Sequence, residues 1–514
     1  MTRALWAILI AMGVYLFGMI IIGALFSKKN ETAGDFYLGG RKLGPFVTAM
    51  SAEASDMSSW LLMGLPGVAY LSGLADATWT AIGLAIGTYV NWLIVAKRIR
   101  VYTDKANNSI TLPDFFTNRY RDQDKKKLLM VIAATVIIIF FIPYTASGFS
   151  ACGKLFSSLF GIDYQLAMVV SAVVIVLYTC LGGFSAASTT DFIQSIVMSI
   201  ALIIVVVFGV NVAGGLDTVV ENASALPGYL SLTNIYDYTS GTSAPYGIIT
   251  IFSMLAWGLG YFGMPHILLR FMAIEDKNKL PVSRRVGTIW VVISMAVAIF
   301  IGVVGYSVSK AGAVPVLVGS DSETIIVELA NLLSKNGLIF ALLAGVILAG
   351  ILASTMSTAD SQLLAASSSV SENILKGFFG IKLSDAMTIV AARVCLVVIA
   401  VIGVFLAADP NSSVFGIVSF AWAGFGAAFG PVVLAALFWK RSNMYGALAG
   451  MISGGAMVFI WKYLVRPLGG AWNIYELLPA FLVALVVIII VSLLTPAPSK
   501  EIQDEFEAVK AECK

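Results

Sequence analysis

Long apolar runs alternate along the chain with short polar or Pro/Gly-rich connections, the pattern of helices crossing a hydrocarbon layer ~30 Å thick. Their boundaries predict thirteen spans, near 4–27, 46–70, 74–96, 126–158, 163–182, 189–213, 246–272, 286–308, 337–373, 384–407, 413–438, 443–463 and 474–495. The first run is followed by Lys28 and Lys29 with no small-residue cleavage site, so it reads as a retained anchor. The fold class is therefore an all-α polytopic membrane protein. Residues 1–514 read as a single membrane domain: an extra N-terminal helix (4–27), core helices from about 46 to 438, two further helices (443–495) and a charged tail (496–514) too small to fold alone.

Composition removes the soluble alternative. Apolar residues make up 59% of the chain and charged ones 12%, against roughly 25% charged in soluble domains, and the mean hydropathy is +0.91. An odd span count puts the termini on opposite faces. With the N-terminus outside, 25 of the 32 basic residues fall in inner loops or the tail, nine of them between Lys97 and Lys127. Only Arg3, Lys154, Lys310, Lys335, Lys462 and Arg466 fall outside, and Arg393 lies within a span. That asymmetry orients the chain N-outside and C-inside. The 97–127 segment reads as a solvated inner connection, too close to a span for nucleic acid. Cys152, Cys180, Cys395 and Cys513 lack paired spacing and read as small apolar packers, and the lone His266 suits a structural hydrogen bond.

Polar groups are costly in hydrocarbon, so the informative positions are interruptions of apolar spans. Ser51 to Ser59 places two carboxylates and four hydroxyls in nine residues of the second span. Trp257 to His266 carries three glycines and a proline in the seventh, which predicts unwinding. In the ninth, Ser354, Ser357, Thr358 and Ser361 follow i, i+3, i+4, i+7 and share a helix face. Gly258, Gly260 and Gly263 match G-x-G-x-x-G, but no strand precedes them and the dinucleotide reading is set aside. Gly426/Gly430 and Gly446/Gly450 read as close helix packing. Spans two and seven are five apart, so two interrupted helices occupy corresponding places in two halves. This points to an inverted-repeat transporter with a five-plus-five core, whose broken helices offer N–H groups to an anion and carbonyls and hydroxyls to Na⁺.

The segments Asp35-Phe36-Tyr37-Leu38-Gly39-Gly40-Arg41, Ala54-Ser55-Asp56-Met57-Ser58, Tyr178 to Ala186, Trp257 to Arg270, Met356-Ser357-Thr358 and Ala421 to Pro431 resemble the sodium:solute symporter family, closest to its bacterial sodium/proline branch. The likeness runs over nearly the whole chain. It implies thirteen spans with a leucine-transporter type of core, and Na⁺-coupled uptake of L-proline by alternating access in the bacterial inner membrane, without enzymatic activity or a cofactor other than Na⁺ as coupling ion. For Na⁺ it implies main-chain oxygens of Ala54, Met57 and Ser354 with the hydroxyls of Ser357 and Thr358. Asp56 matches a carboxylate required for coupling, either as an ion ligand or as a group that orients the ligands. For proline it implies Ser58, Ser59, Tyr144, Trp257, Tyr261 and Pro265. Ser59, Glu53 and Met264 depart from the family's pattern, and Asp360 adds an acid beside the Na⁺ ligands. Some relatives carry a second cation site, which would fall here near Asp191 and Asp360.

The substrate class also follows from charge. With Arg393 the one base clearly inside a span, no fixed cation waits for a substrate carboxylate, and half-helix N–H groups must serve it. A compact zwitterion then fits, its ring against Trp257 and the tyrosines, its cationic nitrogen toward an aromatic face. Proline meets these demands. Rival readings are a carrier in the same family for pantothenate, a short monocarboxylate or a sugar, and, further off, a passive channel, a membrane sensor or a membrane enzyme. The expected partners are Na⁺, L-proline and the bilayer, with no nucleic acid and no obligate protein.

Overall fold

The computed structural model describes residues 3–27, 32–122 and 127–513. Lys28, Lys29, Lys125, Lys126 and Lys514 of the basic tally, and the side chains at 178, 181 and 182 in the glycine-rich segment, lie outside that description.

The chain crosses first as α1 (Arg3–Ser27), followed at the inner surface by the short α2 (Ala33–Leu38). The second pass is α3 (Pro45–Ser59), a wide turn and α4 (Leu65–Ser72), and the third is α5 (Leu74–Val90) continued as α6 (Ala96–Lys105). Below them lies α7 (Leu112–Tyr120), then α8 (Leu128–Phe160) rises and α9 (Tyr164–Val212) makes two passes. On the outer surface sit α10 (Leu216–Ser224) and an antiparallel hairpin of β1 (Asn234–Asp237) and β2 (Thr242–Pro245). The seventh pass is α11 (Ile248–Leu255), a 3₁₀ stretch and α12 (Pro265–Ala273), followed by α13 (Leu280–Lys310), the outer α14 (Ile325–Ser334) and α15 (Leu338–Ser368). Then come α16 (Asp385–Leu406), α17 (Val414–Phe438), α18 (Met444–Ile460), α19 (Leu477–Leu494) and the inner α20 (Lys500–Glu512).

Ten helices among the described residues are long and apolar enough to span a membrane, and the bent pair 248–273 makes an eleventh. The other two expected spans escape a length-and-apolarity test for physical reasons. Residues 45–72 are polar at the break, and Tyr164–Leu177 is short. Gly183 (φ 65°, ψ −172°) kinks α9 and starts the sixth pass at once, six residues earlier than the pattern placed it.

Two inner segments are more ordered than expected. Residues 97–127 are not simply a solvated connection: α7 buries Leu112, Phe115, Phe116 and Arg119. The tail likewise forms α20, which buries Ile502, Phe506 and Val509. Its acids pair with bases from four places: Arg121 with Glu501 (3.2 Å) and Glu505 (2.6 Å), Lys105 (2.9 Å) and Lys277 (2.5 Å) with Glu512, and Lys440 with Glu507 (3.1 Å). The expected inner loops thus meet on one face. Hydrogen bonds from Lys277 and Lys105 hold the Glu512 carboxyl down at about 2. Its share of the docking is complete above the ordinary carboxylate range near 4.5 and fades as pH falls toward 2. At neutral pH in ~1 M salt, where the screening length is ~3 Å, amide hydrogen exchange of 500–512 is expected to rise while α17 stays protected. Unchanged exchange would mean that the apolar edge alone holds the helix.

Candidate functional site

Ser51 to Ser59 are all buried, so every polar group there needs a partner within the protein. The helix runs on through Met57 and breaks at Ser58, whose φ of 42° lies in the left-handed region that a residue with a Cβ rarely enters. The Ser58 Oγ holds the break by accepting from the Trp60 main-chain N–H at 3.0 Å. The seventh pass bends by 48°: the 3₁₀ stretch Ala256–Gly263 ends in extended Met264, and Pro265 opens α12. Its glycines are contact points. A Cβ at Gly258 would collide with Gly83 and Gly87 of α5, and one at Gly260 with the Trp422 indole.

The hydroxyl row of α15 meets the first break directly. Ser357 Oγ donates to Ala54 O at 2.8 Å and lies 3.2 Å from Ser354 O, which also accepts from Thr358 Oγ1 at 3.1 Å. Four of the five oxygens expected around Na⁺ therefore form one buried knot of carbonyls and hydroxyls, the donor set a hard monovalent cation takes. The fifth, Met57 O, accepts from the Trp60 main-chain N–H at the end of α3. Asp56 points elsewhere: its Oδ2 accepts from Tyr261 Oη at 2.5 Å, and its main-chain oxygen accepts from Tyr144 Oη at 3.3 Å.

Beside the knot is a small cleft with about 10 Å³ of free space, lined by Asp56, Met57, Trp60, Leu84, Tyr144, Trp257, Val418 and Trp422. Of the six residues expected for the solute, Tyr144 and Trp257 form its wall. Tyr261 reaches it through Asp56, and Ser58 makes the break. Ser59 is buried next to the break with no partner for its Oγ among the described residues, and Pro265 lies outside the wall. Sequence reasoning missed Trp60, Leu84, Val418 and Trp422. Trp422 falls within the Ala421 to Pro431 segment and donates its indole N–H to Trp257 O at 2.7 Å. Trp60 follows the polar cluster immediately, whereas Leu84 and Val418 are apolar residues in apolar helices and give no signal.

Three further carboxylates lie apart. Glu53 accepts from Trp92 Nε1 at 2.7 Å and from Thr88 Oγ1 at 3.3 Å, in a space left by Gly287 of α13. Arg270, expected in an inner loop, is buried and bonds Asp191 at 3.1 Å, Ser361 Oγ at 2.5 Å and Ser51 Oγ at 3.0 Å. The bundle thus holds a fixed cation after all. It pairs with Asp191, one of the two acids near which a second cation was expected, and Asp191 Oδ1 and Asp360 Oδ2 have no partner among the described residues. Lys154, expected at the outer surface, is also buried. It bonds Glu323 and Ser412 O, both at 2.8 Å, while Glu323 accepts from Ser413 Oγ and from the main-chain N–H of Val414 and Phe415 at the start of α17.

Residues 36–454 match the model of the sodium:solute symporter family. The chain belongs to that family. Among its relatives are a sodium/proline symporter of Haemophilus influenzae, 44% identical over 97% of both chains, and one of Escherichia coli, 42% identical over 98% of this chain and 96% of its own. The osmoregulated proline transporter OpuE of Bacillus subtilis is 42% identical over 96% of both. In fold the chain is similar to a Na⁺-coupled sialic acid symporter in a substrate-bound outward-open state, with a TM-score of 0.77 at 16% identity, covering 96% of this chain and 99% of that one. It is also similar to the nucleobase-cation symporter Mhp1, with a TM-score of 0.51 at 13% identity, covering 92% and 98%. This symporter-family chain therefore has the expected five-plus-five membrane fold, and is a multi-pass protein of the bacterial inner membrane.

Proposed function

We propose that this protein is a secondary active transporter that couples inward Na⁺ movement to uptake of L-proline, the whole chain working as one unit. The observation that carries the reading is the adjacency of two sites across one broken helix: the α3–α15 oxygen knot on one side, and a small aromatic cleft bordered by Asp56 on the other. The relatives named sodium/proline symporters, alike over nearly the whole chain, support the choice of solute.

Outside Na⁺ takes up the oxygens of Ala54, Met57, Ser354, Ser357 and Thr358 and fixes the end of α3. This aligns Asp56 and the cavity wall for a zwitterion whose cationic nitrogen faces the carboxylate and whose ring faces Trp257 and Tyr144. Rocking of the helices around the loaded site then closes the outer path and opens the inner one. One Na⁺ crossing 100 mV down a tenfold gradient releases ~2.3 plus ~1.4 kcal/mol, enough for roughly 500-fold accumulation.

Proteoliposomes holding the purified protein are expected to accumulate labelled proline above equilibrium when Na⁺ is high outside, and to lose accumulation when K⁺ replaces it. Equal uptake with K⁺ would indicate a passive path. Competition by pantothenate, a short monocarboxylate or a sugar where proline fails would redirect the assignment within the family. In the same vesicles Ser357→Ala with Thr358→Ala is expected to raise the Na⁺ concentration for half-maximal uptake by roughly tenfold or more, the loss seen even for outer partners of metal ligands. An unaltered Na⁺ curve would clear these hydroxyls of a role.

A further inference from the structure

Among the aromatic residues that line the cleft, one indole N–H is both fully buried and without an acceptor among the described residues. Trp422 spends its indole N–H on Trp257 O. Trp60 is 3% exposed, borders the same cavity, and has no partner for its Nε1–H among the described residues. A buried donor without an acceptor is rare in native proteins and calls for an explanation. The ring is also held firmly. It stacks on Phe415 (6.0 Å between centroids, 27° between planes) and packs on Trp257 (5.7 Å), and its backbone N–H is fixed by Ser58 Oγ. It sits at the start of the wide turn Trp60–Gly64, so the break itself determines where the indole lies.

Charge decides what such a donor is for. Among the described residues Asp56 is the one acid bordering the cleft, and neither lysine nor arginine borders it. A zwitterionic guest that turns its cationic nitrogen toward Asp56 leaves its own carboxylate to the remaining donors of the lining. The hydroxyl of Tyr144 is already engaged on Asp56 O. We propose that the Trp60 indole N–H receives the substrate carboxylate, which makes Trp60 the residue that selects solutes carrying a free acid group next to the ring nitrogen. This rests on the proline-uptake reading above. An indole N–H is a donor only and has no charge of its own, so it distinguishes a carboxylate from an alcohol without holding the anion as tightly as a guanidinium would.

The test compares three full-length proteins in proteoliposomes: wild type, Trp60→Phe, and a protein with 3-benzothienylalanine at position 60, which keeps the bicyclic shape and replaces N–H by sulfur. Both altered proteins are expected to raise the KM for proline by roughly ten- to a hundredfold, the range for hydrogen bonds to charged groups. Maximal rate and the Na⁺ dependence at saturating proline are expected to change little. Inhibition of uptake by pyrrolidine, which has the ring nitrogen and no carboxylate, is expected to be unchanged. If Trp60→Phe fails to fold, the benzothienyl protein answers alone. An unaltered proline KM in that protein, or equal weakening of proline and pyrrolidine, overturns the assignment while leaving proline transport standing. A wild-type protein that carries a solute without a carboxylate instead of proline overturns both.

Discussion

Asp56→Asn is expected to abolish Na⁺-driven accumulation of proline, with kcat/KM falling by roughly a hundredfold or more. The carboxylate is 5% exposed, accepts the Tyr261 hydroxyl at 2.5 Å and is, among the described residues, the one acid lining the cleft. Asparagine retains an oxygen for Tyr261 but brings no charge, so the cationic nitrogen of the solute enters the cleft without its counter-ion. Truncating one partner of a buried charge pair costs about 2–5 kcal/mol, which sets the size of the effect. Tyr261→Phe provides the calibration: it deletes one hydrogen bond, keeps the charge, and is expected to cost nearer tenfold. Initial rates measured over a grid of proline and Na⁺ concentrations separate the two variants. Asp56→Asn protein that still concentrates proline with a wild-type Na⁺ dependence would remove Asp56 from the coupling mechanism.

Glu323→Ala is expected to be the most damaging single change at the outer end. The carboxylate neutralises buried Lys154 and caps α17 through Ser413, Val414 and Phe415. Its loss leaves a buried ammonium unpaired, at a cost of about 3–5 kcal/mol. It also frees the turn carrying Phe415, whose ring packs on Trp60 and Trp257, two residues of the cleft lining. Both thermal stability in detergent and proline uptake are therefore expected to fall. Glu323→Gln combined with Lys154→Met removes both charges together and is expected to recover most of the stability but little of the transport, because the outer end of α17 remains without its carboxylate cap. If the double variant transports like the wild type, the cap has no role in closing the cavity.

The membrane passes were legible because hydrocarbon thickness fixes their length, and the two breaks because nothing else explains Glu53, Asp56 and four hydroxyls inside one span, or three glycines and a proline inside another. The hydroxyl row of α15 was legible through its i, i+3, i+4, i+7 spacing, whereas its partnership with Ala54 and Met57 of α3 came only from the resemblance to the family. Depth was not. Arg270 stands at the inner end of an apolar helix, directly before a basic loop, and only the packing of α12 against α3 shows that it turns inward to Asp191. Lys154 and Glu323 come from separate outer segments, and no local pattern joins them. The inner helix α20 could have been read from Ile502, Phe506 and Val509, spaced i, i+4, i+7, but its charges drew attention away from that edge. Leu84 and Val418 are ordinary apolar residues until the fold brings them to the same cavity.

The space around Glu53 binds two distant positions into one unit of inheritance. A methyl at Gly287 would come 2.9 Å from the Glu53 Oε1 and 3.2 Å from its Cγ, and that oxygen cannot swing aside without giving up the Trp92 N–H. A descendant that shortens residue 53 opens room that residue 287 is free to fill, whereas one that enlarges residue 287 first must lose the acid's anchor. The two sites are thus open to exchange in one order and resistant to it in the other.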